Sequence, residues 1–170
     1  LLARIRVCDT AVLIAPPLKR GVRSQEIMTT GEWRIPGRSI RVARNAAEML
    51  RAAAGLQDSH DHFGPAHSIE TLLPFLSHLN ARIEVIPVRL GALPWAACQR
   101  IASTLAGMVT SRRGGLMVIA ASNLSRGAAP HAVRQQDAPI IQAIENKDAK
   151  KLADMASPSG LIGVATAVAI

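Results

Sequence analysis

The chain has 170 residues, and 20 lysines and arginines against 12 aspartates and glutamates give it a formal net charge of +8. Hydrophobic residues make up 49% and charged residues 19%, a balance that excludes disorder and suits one domain with a substantial core. The longest apolar runs, Gly115–Ala121 and Leu161–Ile170, fall short of the ~20 residues that a membrane-spanning helix needs. Arg4, Arg6 and Asp9 interrupt the apolar start of the chain, which argues against a signal peptide.

Cysteine usage indicates a reducing compartment. Cys8 and Cys98 lie far apart and form no C-x-x-C pattern, so they predict neither a disulfide framework nor a zinc ribbon. We therefore expect a cytoplasmic protein with free thiols.

The basic excess raises the question of nucleic-acid binding. The arginines are spread from Arg4 to Arg134 with only short pairs, and four aromatic residues are too few for a stacking surface. Scattered positive charge is typical of a solvated surface. Nucleic-acid binding is therefore an unlikely third hypothesis, and it predicts an affinity that falls steeply with salt.

The predicted elements alternate strands and helices. Continuous apolar runs predict buried strands, apolar positions at helical spacing predict amphipathic helices, and Pro or Gly closes most elements. In the first part of the chain, we predict a strand over Ala11–Ala15 closed by Pro16-Pro17, a basic loop over Lys19–Ser24, an extended Trp33–Gly37 with a Pro-Gly turn, and a helix over Val42–Ala54 ending near Gly55. In the middle, we predict a loop over Gln57–Pro65, a helix capped by Ser68 and shortened at Pro74, a strand over Ile83–Val88 closed by Gly91, and a helix over Trp95–Val109 with Pro94 in its first turn. In the last part, we predict the clearest buried strand over Leu116–Ala121, a loop over Ser122–Pro130, helices over His131–Glu145 and Asp148–Met155, and a helix or strand over Leu161–Ile170.

This order predicts an α/β layered domain with a largely parallel central sheet flanked by helices. In such sheets the chemistry lies at the carboxyl ends of the strands. Three loops qualify by position: Pro16–Ser24, Arg89–Leu93 and Ser122–Pro130.

The first candidate site is a histidine-rich loop. Asp58, His60, His62 and His67 fall within ten residues, and imidazole with carboxylate suits Zn or non-haem Fe. Alternate residues of an extended segment point the same way, which would let His60 and His62 share one metal. The alternative is a solvated polar loop that holds no ligand.

The second candidate site follows the strand over Leu116–Ala121. Asn123, Ser125 and Arg126 bring an amide, a hydroxyl and a guanidinium, groups that bind an anion or a carboxylate. The alternative is a loop that caps the next helix. Neither a G-x-S-x-G elbow nor a glycine-rich phosphate motif is present.

Several stretches resemble the Memo family, whose bacterial and archaeal members are called AmmeMemoRadiSam system protein B. The most specific covers residues 67–76, HSIETLLPFL, and is similar to the family's E-H-S-[IL]-E-x-x-L-P-F-L. It is followed, as in the family, by a strand and glycine at residues 83–91. Residues 118–126 are similar to the family's strand ending in S-S-D-x-S-H, residues 13–17 to the strand leading into P-H-A-G-Y, and residues 31–42 to a T-P-L-G segment before a helix.

The resemblance implies the Memo fold, which is like that of class III non-haem iron extradiol dioxygenases, and a metal cleft. At the matched cleft positions this chain carries Pro17 and Arg126 for histidines, Asn123 for an aspartate, Ala66 for a glutamate and Ile162 for a cysteine. A mononuclear iron site needs at least three convergent ligands, and an arginine cannot be one. The substitutions therefore predict a pseudoenzyme with a degenerate metal cleft.

Two hypotheses follow from the resemblance. The leading one is a non-catalytic binding or scaffold module without cofactor, with His67 and Glu70 near an anion-accepting pocket formed by Asn123, Ser125 and Arg126. The alternative is a metal-dependent oxidoreductase that holds Fe, Cu or Zn through His60, His62 and His67.

The resemblance also implies AMMECR1-like and radical SAM proteins as partners, while the short apolar runs predict no membrane association. One Memo-like domain is expected to cover residues 1–170. The abrupt apolar ends, Leu1-Leu2 and Val168-Ala169-Ile170, predict that it is a shortened or fragmentary version.

Overall fold

The structure is a computed structural model that describes residues 7–17, 25–59, 63, 67–112, 115–122, 124, 129–159 and 162–170. Within these ranges the side chains at positions 67, 130, 156–159, 162 and 163 are left out of the description. The strands are β1 Thr10–Ala15, β2 Gln25–Ile27, β3 Glu32–Ile35, β4 Arg38–Arg41, β5 Gln57–Asp58, β6 Glu84–Leu90 and β7 Leu116–Ala120. The helices are α1 Arg44–Ala54, α2 His67–Glu70, α3 Leu73–Leu79, α4 Trp95–Ser111, α5 Pro130–Glu145, α6 Ala149–Ser159 and α7 Ile162–Val168.

Five strands form the central sheet in the order β5-β2-β6-β1-β7. β1 is parallel to both β6 and β7, and its first residue Thr10 lies opposite Glu84 and Leu116. β2 is parallel to β5 but antiparallel to β6. Parallel strands need long crossover connections, and helix α4 supplies the one between β6 and β7. The predicted α/β class with a mostly parallel sheet flanked by helices is confirmed.

Strand β1 lies in the middle of the core and is buried along its whole length. Because successive side chains point to opposite faces, Val12 and Ile14 pack on one side of the sheet and Ala11 and Leu13 on the other. Helices α1 and α4–α7 cover the first face. Helices α2 and α3, the hairpin residue Ile40 and the buried Phe63 cover the second.

Strand β7 lies where it was predicted but is less buried than expected. Leu116–Ala121 was expected to be the clearest buried strand, but only Leu116 is buried and the rest of β7 is half-buried. β7 ends the strand order of the described sheet, so it pairs on one side only, with β1. A continuous apolar run reports coverage of both faces and does not tell a central strand from an edge strand.

Helix α1 confirms the predicted helix but begins two residues later. The two preceding residues belong to the sheet: Val42 bridges to Val85, and the N–H of Ala43 donates to the carbonyl of Val85 at 2.9 Å. At the other end Gly55 takes the left-handed conformation, with φ 70°, and its N–H donates to the carbonyl of Arg51. Glycine adopts this conformation without strain, which explains why the helix ends there.

The helix predicted from Ser68 is divided in two. Its first part α2 begins at His67, one residue early, so Ser68 lies inside the helix and not at its cap. The N–H of Leu72 donates to the carbonyl of Ile69, and helix α3 then starts with Pro74 in its first turn. Proline is tolerated there because the first-turn N–H has no intrahelical acceptor. The predicted shortening at Pro74 is confirmed.

The extended segment and Pro-Gly turn predicted over Trp33–Gly37 are confirmed, while the strands β4 and β5 were not predicted. The Pro36-Gly37 turn joins β3 to β4 in a two-stranded hairpin, and Gly37 has φ 84°. Gln57–Asp58 forms β5, where a loop was predicted, and pairs with β2. Both β4 and β5 are largely polar and exposed, so they carry no apolar signal.

Cys8 and Cys98 are free thiols, as predicted, and Cys98 is buried. Among the described helices, none is at once long enough and apolar enough to cross a membrane.

Candidate functional site

The carboxyl ends of three parallel strands meet at one edge of the sheet. Ala15 ends β1, Leu90 ends β6 and Ala120 ends β7. The register places Ala15 beside Arg89, and the N–H of Ala121 donates to the carbonyl of Ile14 at 2.8 Å. The three loops selected by position therefore do begin at a common edge. Arg89, which was expected in the loop after β6, still belongs to the strand.

Helix α2 holds the residues of the most specific motif against β1. Ile69 is fully buried beside Leu13 and Ala15, and α2 contacts β1 directly. This contact fixes the helix beside the carboxyl end of the sheet. Glu70 is half-buried on the helix, and the structure gives the backbone of His67 but not its imidazole.

Most of the predicted site residues lie outside the described part of the chain. These are His60 and His62 of the histidine-rich loop, and Asn123, Ser125 and Arg126 of the loop after β7. Pro17 is described and half-buried just after β1, and Ile162 is described by its backbone at the start of α7. The structure therefore brings Pro17 and the α2 backbone to one sheet edge, and it does not test the rest of the predicted set.

The described part of the loop after β7 uses its hydroxyl locally. The N–H of Leu124 donates to the Ser122 Oγ at 3.2 Å, and Leu124 itself has φ 50°. A serine that accepts a hydrogen bond from the backbone two residues later is a common turn stabiliser. Ser122 thus has a structural role that is independent of any ligand.

Asp58 of the histidine-rich segment also has structural partners. Its Oδ1 accepts a hydrogen bond from the Thr29 N–H at 3.1 Å, and its Oδ2 accepts one from the Thr29 hydroxyl at 2.8 Å. Thr29 is almost completely buried, so these bonds satisfy groups that would otherwise be costly to bury. Asp58 thus links β5 to Thr29, two residues after the end of β2.

The sequence reasoning missed a buried charge at this edge. Arg89 is only 4% exposed, and its side chain lies on the face of the sheet that Phe63 and α2 cover. The guanidinium carbon Cζ lies 5.0 Å from the centre of the Phe63 ring, within the range of a cation–π interaction. Arg89 therefore places a permanent positive charge beside Phe63, near the carboxyl end of β6.

The electrostatics of Arg89 are dominated by burial. Desolvation lowers the pKa of its guanidinium, and Glu26, which faces it across the β2–β6 register, acts in the opposite direction. An arginine keeps its proton under ordinary conditions, so the group remains a cation whose charge Glu26 offsets in part. One signal for it was available: Arg89 is the only charged residue in the run from Val85 to Leu90.

The described residues do not fit a metal ion at this edge. Within the described ranges, no three His, Cys, Asp or Glu side chains come together in a way that could hold one. Pro17 has no donor side chain, and Arg89 is a cation that opposes a second one nearby. Among the described residues Glu26 and Glu70 offer carboxylates there, fewer ligands than a mononuclear site requires.

Comparison with known proteins adds a family. A family model described as "Memo-like protein" matches residues 2–165 of the chain. A MEMO1 family protein of Caldivirga maquilingensis is 27% identical over 138 residues, which cover 80% of this chain and 49% of that protein.

Two further MEMO1 family proteins give the same picture. The protein of Thermotoga maritima is 28% identical over 142 residues, covering 82% of this chain and 50% of its own length. The protein of Methanosarcina barkeri is 30% identical over 141 residues, covering 82% and 52%. The chain thus spans about half the length of the curated relatives it matches.

Proposed function

This chain belongs to the Memo-like protein family, and we propose that it acts as a binding module whose cleft accepts an anionic group and holds no catalytic metal. The cleft is defined as the sheet edge where β1, β6 and β7 end, with α2 beside it. The observation that carries the proposal is the buried Arg89 at that edge.

The buried guanidinium sets the sign of charge that the cleft favours. Low-dielectric surroundings strengthen the interaction of a charge with its neighbours, so a cation 4% exposed acts over a longer range than one on the surface. It disfavours a divalent cation at the sheet edge and favours an anion. Glu26 offsets part of this charge, and it acts against the lowering of the guanidinium pKa by burial.

The residues in the loop after β7 supply the direct contacts in this proposal. Arg126 offers a fork of N–H donors, and Ser125 and Asn123 add a hydroxyl and an amide. His67 and Glu70 belong to α2, which lies beside this edge of the sheet. In this proposal Arg126 forms charge-assisted hydrogen bonds to a carboxylate, while Arg89 contributes through its field.

The proposal differs from a metal-dependent oxidoreductase in its ligand set. An oxidoreductase would recruit His60, His62 and His67 as metal ligands. The described residues favour the anion over this alternative because Arg89 contributes a buried cation at the edge, and no group of three or more His, Cys, Asp or Glu side chains in the described ranges could hold a metal ion.

A titration with malonate tests the proposal. Malonate is a small dicarboxylate, and its binding is followed by the ¹H–¹⁵N resonances of the full chain in metal-free buffer. We expect saturable binding, a loss of at least about tenfold in affinity for Arg126→Gln, and a smaller loss for Arg89→Met. Arg34→Gln is the matched control because Arg34 is 89% exposed on the hairpin, and it should bind malonate as the wild type does.

Two outcomes contradict the proposal. One is the absence of saturable malonate binding by the wild-type chain. The other is binding that Arg126→Gln leaves unchanged, which would place the anion elsewhere.

A further inference from the structure

A basic cavity lies at the other end of the sheet from the cleft, where β1 and β6 begin. It has a volume of about 440 Å³, which is within the usual range for small-molecule sites. Its walls come from the starts of two strands, the first turn of α1 and the end of α4. The polar residues among its lining are Thr10, Arg41, Arg44, Asn45, Glu84 and Arg112.

The cavity is positively charged. Three arginines and one glutamate line it, so it has a formal excess of two positive charges. The guanidinium of Arg41 lies 3.3 Å from the carboxylate of Glu84 and is balanced by it. Arg44 and Arg112 are exposed, and within the described ranges neither has a carboxylate at ion-pair distance. Their charges are available to a ligand.

The start of α1 adds backbone donors to the same cavity. The first N–H groups of a helix have no intrahelical acceptor, and the first turn carries a partial positive charge. Ala43 at the cap has no side chain to accept these hydrogen bonds, and the first turn contains no acidic residue. Arg44, Asn45 and Ala46 all line the cavity with this turn. Such an arrangement is suited to phosphate oxygens.

A hydroxyl without a protein partner supports the same conclusion independently. Thr10 is only 7% exposed, and its side chain is on the face shared by Val12 and Ile14, which α1 covers. Its N–H donates to the carbonyl of Gly115, while its hydroxyl makes no hydrogen bond to any residue in the described ranges. Among the described side chains the only fully buried polar atom that makes no hydrogen bond is Arg89 Nε, so the Thr10 oxygen is reachable from the cavity that Thr10 lines. A ligand oxygen there would give the hydroxyl a partner.

We propose that this cavity is a binding site for a phosphate or pyrophosphate group of a small molecule. The cavity is concave and small, and it brings together two exposed guanidinium groups, the start of a helix and the Thr10 hydroxyl. A nucleic-acid strand needs a basic track with stacking aromatics, and none of the lining residues is aromatic. The site is at the other end of the sheet from the cleft and does not depend on the function proposed for that cleft.

Isothermal titration calorimetry of the full chain with pyrophosphate and with inorganic phosphate tests the proposal. We expect saturable binding at one site, tighter for pyrophosphate. Arg44→Gln and Arg112→Gln should each weaken it at least about tenfold, since hydrogen bonds to charged groups are strong. Arg34→Gln removes an exposed arginine that does not line the cavity and should leave the affinity unchanged.

Thr10 provides a second test that a misfolded variant cannot imitate. Thr10→Val keeps the shape and removes the hydroxyl, and it should weaken pyrophosphate binding about threefold or more. Thr10→Ser restores the hydroxyl and should recover most of the affinity. Malonate binding in the cleft and the thermal midpoint report whether each variant is folded.

The proposal is overturned if pyrophosphate does not bind saturably, or if the arginine substitutions leave its affinity unchanged. It is also overturned if those substitutions weaken only the retention of a single-stranded oligonucleotide, because the surface would then be a nucleic-acid contact.

Discussion

Replacing Arg89 by methionine compares the contacts of a buried cation with the cost of burying it. The substitution removes the cation–π contact with Phe63, worth about 1 kcal/mol, and the attraction to the half-exposed Glu26, worth about 1 kcal/mol. It also removes a guanidinium that is only 4% exposed, whose desolvation costs several kcal/mol. Methionine has a similar length and packs well among Leu13 and Ala15.

Arg89 makes polar contacts beyond these two, and its removal leaves Glu26 without this partner. Arg89→Met should therefore lower the free energy of unfolding by about 1–3 kcal/mol, because removing one member of a buried charge pair outweighs the desolvation that is recovered. Urea unfolding at neutral pH measures it, and the thermal midpoint should fall by about 2–4 °C per kcal/mol for a chain of this size. Arg34→Met at an exposed position should stay within about 0.5 kcal/mol of the wild type. An equal or higher stability of Arg89→Met would refute the reasoning, because the contacts of the guanidinium would then be worth less than its desolvation.

Three further predictions concern the core and its polar contacts. Leu50→Ala should cost about 2–5 kcal/mol in urea unfolding because Leu50 is fully buried, while Met49→Ala at an exposed position should cost little. Asp58→Ala should destabilise by about 1–3 kcal/mol because it leaves the buried Thr29 hydroxyl without its acceptor, and equal stability would contradict this role. Burial raises the pKa of the Cys98 thiol, so the unfolded chain loses this proton first as pH rises above about 9.0. Wild-type stability should therefore fall relative to Cys98→Ala above that pH, and parallel curves would show that the shift is absent.

The elements with strong apolar patterns could be predicted from the sequence. β1, β6 and α4 were found nearly at their observed bounds because continuous apolar runs and helical spacing report burial directly. The end of α1 was also predicted, since Gly55 can adopt the left-handed conformation that closes a helix.

The remaining parts of the fold depend on pairing between distant segments. β2 is three residues long and joins the sheet antiparallel to β6, a choice that its own residues Gln25–Ile27 do not encode. The predicted helix over Val42–Ala54 began too early because Val42 and Ala43 bond to Val85, a contact that local propensity does not reveal. Tertiary contacts overrode the local pattern in both cases.

The location of the candidate site at the sheet edge could be predicted from the sequence, but the buried charge of Arg89 there could not. The carboxyl edge of β1, β6 and β7 follows from strand order, which a sequence pattern can indicate. The role of Arg89 could not be predicted in this way, because a single arginine after an apolar run is typical of the start of a loop. Only the structure shows that Arg89 is buried. The basic cavity was missed for a similar reason: Thr10, Arg44 and Arg112 are far apart along the chain and meet only through packing.

Metal content tests the central claim most directly. The full chain is incubated with Fe(II), Cu(II) or Zn(II), desalted, and analysed for bound metal by mass spectrometry, beside a His60→Ala/His62→Ala variant. A cleft that favours an anion over a metal ion predicts far less than one metal per chain, with the same low value in the variant. Close to one tightly held metal per chain, lost in the double variant, would contradict the account and identify the histidine-rich segment as a metal site.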